Sequence, residues 1–502
     1  MKKRLIALML SAVLTLVPVA AAHAADVISV TVDGRQVIFV DQGPANVYGR
    51  TLVPVREVFE VLGFDVDWDP DTQQVTLTGE DVIVITIDSD EFTINGASHN
   101  LDVPAQMITE RVMLPIRDVL ESVGYHVDWN DAERTVTISS EPVSSEPVTS
   151  EPVSSEPVSS EPAVSETRTW TGIEAGGSSS FAIQSDGGLW AWGNNEFGQL
   201  GDGATSRDNS DPVRIMYDIA AVSAGRSHTA AIGIDGDLWT WGDNWAGQLG
   251  DGTSESWPYP VWIADEVAAV SVGWYHTVAI RTDGSLWFWG VILAGQYDGD
   301  AGELEHTMIM EDVVAVSASY HTMAISIDGS LWAWGWNEFG QLGDGTTEDR
   351  LSPVGIKSGV AAVSAGGSHT AAIGTDGSLW TWGWNGFGQL GDGTTEDQLN
   401  PVRIMDDIAA VSAGANHTMA IGTDGSLWAW GSNEGGRLGD GTTEDRLSPT
   451  WIMDDVAAVS AGNRHTIALG TDGSLWVWGS NENGQLGDGT TIDRYEPVKL
   501  FG

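Results

Sequence analysis

The sequence predicts an all-β seven-bladed β-propeller, preceded by a small duplicated α+β domain and a Pro/Ser/Glu-rich linker. The propeller is predicted by a stretch that occurs seven times, typified by residues 375–393, T-D-G-S-L-W-T-W-G-W-N-G-F-G-Q-L-G-D-G. The leading tryptophans follow one another at steps of 49, 48, 45, 48, 48 and 48 residues, and such a fixed period is typical of a solenoid or propeller. They are Trp190, Trp239, Trp287, Trp332, Trp380, Trp428 and Trp476. The duplicated domain is indicated by a motif at residues 50–63 that returns at residues 111–124.

One repeat of the array reads as four antiparallel strands. Residues 360–366 are small and apolar, as the crowded inner strand of a radial sheet requires, and residues 369–373 form the second strand. The Asp-Gly pair that follows is typical of a tight hairpin turn, and residues 379–382 alternate as a third strand. After a glycine-rich loop, residues 401–404 form an outer strand, where the leading proline is tolerated. Seven such sheets build the propeller.

The two ends of the array suggest how the ring closes. The first repeat starts late, at Trp170, and lacks its own P-V-x-I strand, whereas the chain ends with a spare one at residues 497–500. We expect this C-terminal strand to complete the blade that the N-terminal residues of the array begin. Deletion of residues 495–502 would then sharply lower the melting temperature.

The first 24 residues are typical of a secretory signal peptide. A basic segment at residues 2–4 precedes an apolar segment at residues 5–21, and Ala22-His23-Ala24 matches the small-x-small cleavage pattern. We therefore expect a secreted or cell-envelope-associated protein that begins at Ala25. No later stretch has about 18 consecutive apolar residues, so no membrane span is expected after signal cleavage.

Charge and cysteine content exclude several kinds of function. The chain has 22 Lys+Arg against 71 Asp+Glu, a formal charge of −49, and a surface this acidic repels phosphate backbones. Nucleic acid is therefore not an expected partner. The absence of cysteine excludes a disulfide framework, a thiolate zinc site and a cysteine nucleophile.

Residues 26–140 form the duplicated domain. Each copy of the motif places a proline (Pro54) at the start of a short helix, and Val55, Val58, Phe59 and Leu62 lie on one face of the first helix. A glycine, Gly63 or Gly124, ends each helix as a left-handed cap. Strands flank each helix, so each half is predicted to be a small α+β unit.

This domain resembles the copper amine oxidase-like N-terminal (stalk) domain of exported bacterial proteins, on the doubled R-T-L-V-P-V-R motif and the V-D-W that follows it. The oxidase's catalytic part has no counterpart here. We interpret His99 and His126 as structural or surface residues. Arg56 and Arg117 could bind an anionic ligand, but pairing with a neighbouring carboxylate is favoured.

Residues 141–166 are predicted to be an extended spacer. The tract repeats S-S-E-P-V with proline at every fifth position, which forbids helix and sheet. At about 3.1 Å per residue, such a tract reaches roughly 80 Å at most, and it would hold residues 167–502, the propeller, away from the domain before it.

The repeats resemble the regulator of chromosome condensation family, on the alternation of A-G-x-x-H-T, D-G-x-L-W-x-W-G and G-Q-L-G-D-G. The resemblance implies a seven-bladed propeller. The namesake is a chromatin-bound nucleotide exchange factor, a role that does not transfer to an acidic chain with an export signal. The third copy departs from the pattern at residues 295–300 and is three residues short, so we expect blade three to be distorted at its loop.

The repeated histidines and tryptophans are interpreted as structural. One histidine per blade is spread around the ring, whereas metal ligands must converge on one ion; we expect each to make a hydrogen bond inside its blade. The acidic loops at residues 344–349, 392–397 and 440–445 allow only a weak possibility of calcium, since they lack a strict ligand pattern; no cofactor is expected. The histidines are His228, His276, His321, His369, His417 and His465, with Ser179 in the first copy.

Two turns that vary from blade to blade carry the candidate binding residues. In a four-stranded meander, the turn before the histidine and the loop after W-x-W-G lie on the same face. Trp, Tyr and Arg at such positions dominate interface energetics, so one hypothesis is a protein- or glycan-binding surface; the other is that scattered exposed aromatics carry no function. The residues are Arg226, Trp245, Trp274, Tyr275, Tyr320, Trp336, Trp384 and Arg464.

Together these observations predict an exported, non-enzymatic binding or scaffold protein, with the propeller as a head displayed on a spacer and stalk. Its expected partner is an extracellular protein or a cell-wall glycan. An alternative is a secreted inhibitor of an extracellular enzyme that uses the same face. A polysaccharide-active enzyme is less favoured because no catalytic constellation converges. The one place to seek one is the irregular part of blade three: Asp298, Asp300, Glu303, Glu305 and His306.

Overall fold

The computed structural model describes residues 29–139 with short gaps, and residues 169–500 apart from 206–208 and 292–305. The chain divides between residues 165 and 166 into two compact units, each of which is described by itself. The predicted signal peptide and spacer lie outside the described residues. Among the helices that the structure describes, none is long and apolar enough to cross a membrane.

Within its described residues, the N-terminal unit has three sheets and two short helices. The sheets have the orders β12-β13-β1-β2, β10-β11-β4-β3 and β5-β6-β7-β8-β9. The elements are β1 (Ser29–Val32), β2 (Arg35–Gln36), β3 (Ala45–Val47), β4 (Arg50–Pro54), α1 (Val55–Val61), β5 (Asp65–Asp69), β6 (Gln74–Thr78), β7 (Val82–Thr86), β8 (Glu91–Ile94), β9 (Ala97–Asn100), β10 (Gln106–Ile108), β11 (Arg111–Pro115), α2 (Ile116–Ser122), β12 (His126–Asn130) and β13 (Thr135–Ser139).

The two helices form as the motif predicts. Pro54 caps the N-terminus of α1, and Val55, Val58 and Phe59 are at most 3% exposed, so the apolar face enters the core. Gly63 follows the helix with φ +91°, a conformation that glycine adopts without a Cβ penalty. These helix predictions are confirmed.

The duplicated α+β domain is confirmed, and its two motif copies pair with each other. Strand β4 lies antiparallel to β11, with Val53 opposite Leu114, and β1 lies parallel to β13. Short strands such as these leave backbone groups unpaired unless another strand is beside them. The duplication therefore makes one interwoven unit.

The four polar residues singled out in this unit have structural surroundings. Arg56 pairs with Glu60 at 3.1 Å, and Arg117 lies 4.0 Å from Glu121, which confirms the carboxylate pairing. His99 packs on the ring of Phe92, and His126 is exposed at the start of β12.

The C-terminal unit contains seven four-stranded sheets, which confirms the seven-bladed propeller. Each sheet takes four strands consecutive in sequence. They are, for blade one, β14 (Trp170–Ala175), β15 (Ser179–Gln184), β16 (Leu189–Gly193) and β17 (Asn209–Met216); for blade two, β18 (Ile219–Ala224), β19 (His228–Gly233), β20 (Leu238–Gly242) and β21 (Trp257–Ala264); for blade three, β22 (Val267–Val272), β23 (His276–Arg281), β24 (Leu286–Gly290) and β25 (Thr307–Met310); for blade four, β26 (Val313–Ala318), β27 (His321–Ser326), β28 (Leu331–Gly335) and β29 (Arg350–Lys357); for blade five, β30 (Val360–Ala365), β31 (His369–Gly374), β32 (Leu379–Gly383) and β33 (Gln398–Met405); for blade six, β34 (Ile408–Ala413), β35 (His417–Gly422), β36 (Leu427–Gly431) and β37 (Arg446–Met453); and for blade seven, β38 (Val456–Ala461), β39 (His465–Gly470), β40 (Leu475–Gly479) and β41 (Arg494–Lys499).

The expected closure by a C-terminal strand is wrong. Strand β41 pairs with β40 of its own blade, with Val498 opposite Val477, and blade one has its own outer strand, β17, which contains Pro212. The P-V-x-I strand therefore follows the W-x-W-G strand of its blade. The ring closes instead through hydrogen bonds between blades one and seven, from Ala175 N to Ser460 Oγ (2.9 Å) and from Trp192 Nε1 to Gln485 O (2.9 Å).

The G-Q-L-G-D-G loop is the joint between neighbouring blades. At the joint of blades five and six, the carbonyl of Gln389 accepts hydrogen bonds from Thr418 Oγ1 (2.8 Å) and Trp430 Nε1 (2.9 Å). Leu390 is fully buried, and its N–H donates to Asn385 Oδ1. Gly391 is required because a Cβ there would lie 2.7 Å from Trp430 Nε1. The second tryptophan of W-x-W-G is thus a packing residue, as predicted.

The loop of blade three lies outside the described residues, so the predicted distortion there stays a prediction. Its outer strand β25 has 4 residues, compared with 8 in β29 of the next blade.

Candidate functional site

The six repeated histidines join each blade to the next. Each Nε2 lies 2.7–3.1 Å from a hydroxyl of the following blade. The prediction of a hydrogen bond inside the blade is therefore wrong in this detail, although the structural role is right. The pairs are His228–Thr277, His276–Thr322, His321–Thr370, His369–Thr418, His417–Thr466 and His465–Ser180.

The hydrogen bonds of the joint fix the tautomer of these histidines. Thr418 Oγ1 already donates its proton to Gln389 O, so it accepts one from His369 Nε2. Burial lowers the pKa of His369 to about 3, and the ring is neutral. Within the described residues, no group of three or more His, Asp or Glu side chains converges as metal ligands would. These histidines are therefore part of the scaffold.

Two of the three acidic loops, at residues 344–349 and 440–445, bind their own arginines and so do not fit calcium. Asp344 Oδ1 accepts from Thr346 N and Thr346 Oγ1, and Asp344 Oδ2 accepts from Arg350 Nε at 2.8 Å. The same arrangement joins Asp440 to Arg446, and in blade five Gln398 donates to Asp392. A guanidinium in contact with the carboxylate takes the place that a cation would need.

Six of the eight candidate residues lie in one continuous chain of ring contacts, which we call the aromatic belt. It consists of Trp245, Trp274, Tyr275, Tyr320, Trp336, Phe339, Trp384 and Phe387, from blades two to five. Trp274 stacks on Tyr320 with ring centroids 3.9 Å apart, and Tyr320 meets the edge of Trp336 at 5.3 Å. Both turns thus lie on the same face, as predicted.

The rings at both ends of the belt are at least partly exposed. At blade two, Trp245 is 45% exposed and contacts Tyr275 edge to face. At blade five, Trp384 and Phe387 are both partly exposed and in contact. A partner that lay along the belt would therefore meet open rings at both ends.

The two candidate arginines have different positions. The guanidinium of Arg226 lies over the ring of Trp274, 4.8 Å from its centroid, so Arg226 adjoins the belt. Arg464 is exposed in blade seven, whereas the described ring contacts of the belt end in blade five. The structure brings together seven of the eight predicted residues and places Arg464 apart.

Sequence reasoning missed two members of the belt, Phe339 and Phe387. Both sit in the N-x-F-G stretch after W-x-W-G, where blade two has Ala246, blade six Gly435 and blade seven Asn483. The variation of this position among blades was the available signal. Phe339 links the two halves of the belt, because it contacts both Trp336 and Trp384.

Exposed glutamates complete this face. The third residue after W-x-W-G is an exposed glutamate in four blades. Trp245 replaces it in blade two, and Gly386 replaces it in blade five. Arg437, buried at 2% exposure, pairs with one of them at 3.2 Å. The face thus carries the belt over blades two to five, the exposed Phe197 in blade one, and glutamates in blades one, four, six and seven. The glutamates are Glu196, Glu338, Glu434 and Glu482.

A further carboxylate that sequence reasoning missed is Glu174 on the inner strand of blade one. In the other blades the equivalent residue is a serine whose hydroxyl accepts the N–H of the next blade, as Ser412 does from Ala461. Glu174 takes this place: its carboxylate accepts from Ala224 N (3.4 Å) and Ser460 Oγ (3.2 Å). Burial raises the pKa of Glu174 to about 7, although these hydrogen bonds lower it.

Of the blade-three residues suggested as a possible enzymatic site, the structure describes His306. Asp298, Asp300, Glu303 and Glu305 lie outside the described residues. His306 stacks on Trp289 with centroids 4.5 Å apart, and its Nε2 lies 2.9 Å from Gly250 O. The ring of His306 is thus a packing element.

Comparisons with known proteins agree with this architecture. The sequence model of the RCC1-like domain matches residues 146–453, and RCC1 repeats match residues 456–485 and 472–502. The copper amine oxidase N-terminal domain matches residues 31–138. No curated protein sequence matches the chain.

Several solved propellers have a similar fold. Yeast RCC1 (Prp20), solved with Kap60, has a TM-score of 0.58 at 20% identity, covering 72% of this chain and 91% of its own. Prp20p from Saccharomyces cerevisiae, described with its binding to Gsp1p and histones, has a TM-score of 0.57 at 21% identity, covering 66% and 88%. Human WBSCR16 has a TM-score of 0.56 at 23% identity, covering 62% and 93%. At these identities the likeness shows the fold alone.

Proposed function

The chain belongs to the RCC1-like domain family, and from this premise we propose that it is an exported, non-enzymatic binding protein whose propeller holds a protein partner on the face of the aromatic belt. Propellers of this fold include proteins that bind other proteins, such as yeast Prp20, which was solved with Kap60 and described with its binding to Gsp1p and histones. The predicted signal peptide and spacer support export and display on the N-terminal stalk.

The observation that carries this proposal is the continuity of the belt. Eight aromatic rings from four blades touch in sequence on one face, at positions where blades six and seven have no aromatic residue. The joints between blades are made by His, Thr, Gln and buried Trp, so blade packing does not require these rings. Clustered Trp and Tyr with a neighbouring Arg are typical of the energetic centre of a protein interface.

The geometry favours a protein over a sugar. A sugar stacks on an open ring face, whereas Trp274 has Arg226 near its ring and Tyr320 stacked on it. Most belt rings also meet a neighbour's edge. A partner that inserts its own side chains between such rings fits better than a flat pyranose.

The test compares the chain without residues 1–24 with a Trp274→Ala/Tyr320→Ala variant, each immobilised and exposed to culture medium and cell envelopes of the host. We expect one or more proteins to be retained by the wild type and lost by the variant. Trp451→Ala is the matched control, because Trp451 is 51% exposed on an outer strand away from the belt. Equal retention by all three proteins, each with an unchanged melting temperature, would refute the proposal.

A further inference from the structure

The joint of blades one and two differs from the other six joints of the ring. At each of those six, a histidine Nε2 lies 2.7–3.1 Å from a hydroxyl of the following blade. Blade one has Ser179 in place of this histidine, so the hydroxyl of Thr229 in blade two meets no imidazole at this described joint. Thr229 Oγ1 still donates to Gln199 O at 2.8 Å. One polar link that the other joints share is therefore replaced.

The inner strands of the same joint are also linked differently. At the other six joints, a backbone N–H donates to a serine Oγ of the preceding blade at 2.9–3.1 Å. Between blades one and two, Glu174 takes the place of the serine, and its Oε1 lies 3.4 Å from Ala224 N. This distance is beyond the usual range for N–H···O bonds. The longest of the seven links thus lies at the joint that has no histidine.

Apolar packing holds this joint where the histidine is missing. Phe181 lies two residues after Ser179 on β15 and is fully buried, in one cluster with Ala231 and Trp241 of blade two. Such packing is favourable but not directional. Beside Glu174, the inner side of the joint has the hydrogen bond from Gly177 N to the carbonyl of the next blade's glycine, at 2.9 Å.

Glu174 connects three blades through one carboxyl group. Its Oε1 accepts from Ala224 N of blade two, and its Oε2 accepts from Ser460 Oγ of blade seven at 3.2 Å. The side chain is partly exposed, so rotation about its own bonds can bring the carboxylate into water. Burial raises the pKa of Glu174 to about 7, because the charged form is better solvated in water than in the joint. Departure of the carboxylate leaves both donors without this acceptor.

The surroundings of Glu174 contain few groups that could titrate in its place. Four strands pack closely against β14, namely β15, β18, β38 and β39. His465 is the one titratable residue on these four strands, and burial lowers its pKa to about 3. Arg226 and Arg464, in the turns after β18 and before β39, stay charged at neutral pH. A change at this joint between pH 6 and 8 therefore concerns Glu174.

We propose that the joint of blades one and two is the place where the ring opens locally, and that Glu174 is its pH-sensitive latch. The protonated carboxyl group stays in the joint and holds β14 to β18. The ionised carboxylate turns to water and releases Ala224 N–H and the Ser460 hydroxyl, and the two inner strands separate transiently. Joints that have a serine and a histidine at these places stay closed over the same pH range.

The test is hydrogen–deuterium exchange of the full chain without residues 1–24, read by mass spectrometry at pH 6, 7 and 8 and corrected for the intrinsic pH dependence of amide exchange. Local opening exposes amides of the strand that separates. With a pKa of about 7, the ionised fraction rises from about a tenth at pH 6 to about nine-tenths at pH 8. We therefore expect exchange in β18 to rise about 10-fold, and exchange in β34, its counterpart in blade six, to stay constant.

Two substitutions of the latch and one control complete the test. Glu174→Ser restores the residue of the other blades, and Glu174→Gln keeps the size of the side chain in case the serine variant does not fold. Each should abolish the pH dependence in β18, whereas Glu482→Gln, at an exposed position of blade seven, should preserve it. A pH dependence that persists in both Glu174 variants, an equal rise in β18 and β34, or no rise in the wild type would overturn the inference.

Discussion

Replacement of Glu174 by glutamine should stabilise the propeller at neutral and alkaline pH. Burial raises the pKa of Glu174 from its ordinary value of 4.5 to about 7, so the folded chain binds a proton more tightly than the unfolded chain. For such a group, the stability contribution is present below pH 4.5 and is lost as pH rises through 7. Ionised Glu174 at pH 8 is therefore unfavourable to folding.

The pKa shift sets the size of the effect. One pKa unit corresponds to about 1.4 kcal/mol, so the rise from 4.5 to about 7 corresponds to at most about 3 kcal/mol at pH 8. Partial exposure of the side chain reduces this figure. Glutamine carries no charge; its one oxygen can accept from Ala224 N, and its NH2 group can donate to Ser460 Oγ in place of the second carboxylate oxygen.

The assay is urea unfolding, followed by tryptophan fluorescence, of the wild type and Glu174→Gln between pH 4 and 9. The difference in the free energy of unfolding should grow in favour of the variant between pH 4.5 and 8. Glu174→Ser, which restores the serine of the other blades, should show the same trend, and Glu482→Gln on the exposed face should not. A difference that is constant with pH would refute the reasoning.

Three other predictions concern the joints and loops. His369→Ala should lower the free energy of unfolding by about 2–4 kcal/mol, because it leaves a cavity and removes the donor to Thr418 Oγ1; Ser179→Ala, at the position without a histidine, should cost clearly less in the same urea titration. Burial lowers the pKa values of His228, His321, His369 and His465 to about 3, so the unfolded chain binds the extra protons and the melting temperature should fall as pH falls below about 6.5; a flat profile from pH 6.5 to 4 would contradict this. Calcium at millimolar concentration should leave the melting temperature unchanged, since Arg350 contacts Asp344, and a rise of several degrees would show a site that these contacts do not reveal.

The parts of the fold that follow from local pattern could be predicted from the sequence. The period of the tryptophans, the Asp-Gly turn and the alternation around Trp380 and Trp382 depend on residues a few positions apart, and each is observed. The helix in residues 55–61 followed for the same reason, from Pro54 and Gly63.

The predictions that were wrong concern contacts between segments that are distant in the sequence. The closure of the ring was wrong because the P-V-x-I strand of blade one, at residues 212–215, was not recognised, so the last strand of the chain was taken as spare. The histidine was expected to bond within its blade because nothing local indicates that the next blade presents a threonine 49 positions away. Likewise, the pairing of β4 with β11 joins segments about 60 residues apart, and the motif duplication by itself does not indicate which strands of the two copies pair.

The joints also explain why the belt and the fold can be separated by experiment. At the joint of blades six and seven, which have no belt residues, His417 bonds Thr466 and Trp478 donates to the carbonyl of Arg437. At the joint of blades four and five, which have belt residues, His321 bonds Thr370 and Trp382 donates to the carbonyl of Gln341 in the same way. Since the two groups of blades are held by the same hydrogen bonds, the rings on the variable turns add little that the scaffold needs. Substitution of the exposed Trp245 should therefore change the binding of a partner and leave the urea midpoint nearly unchanged, whereas substitution of the buried Trp430 should do the reverse by lowering the stability of the whole ring.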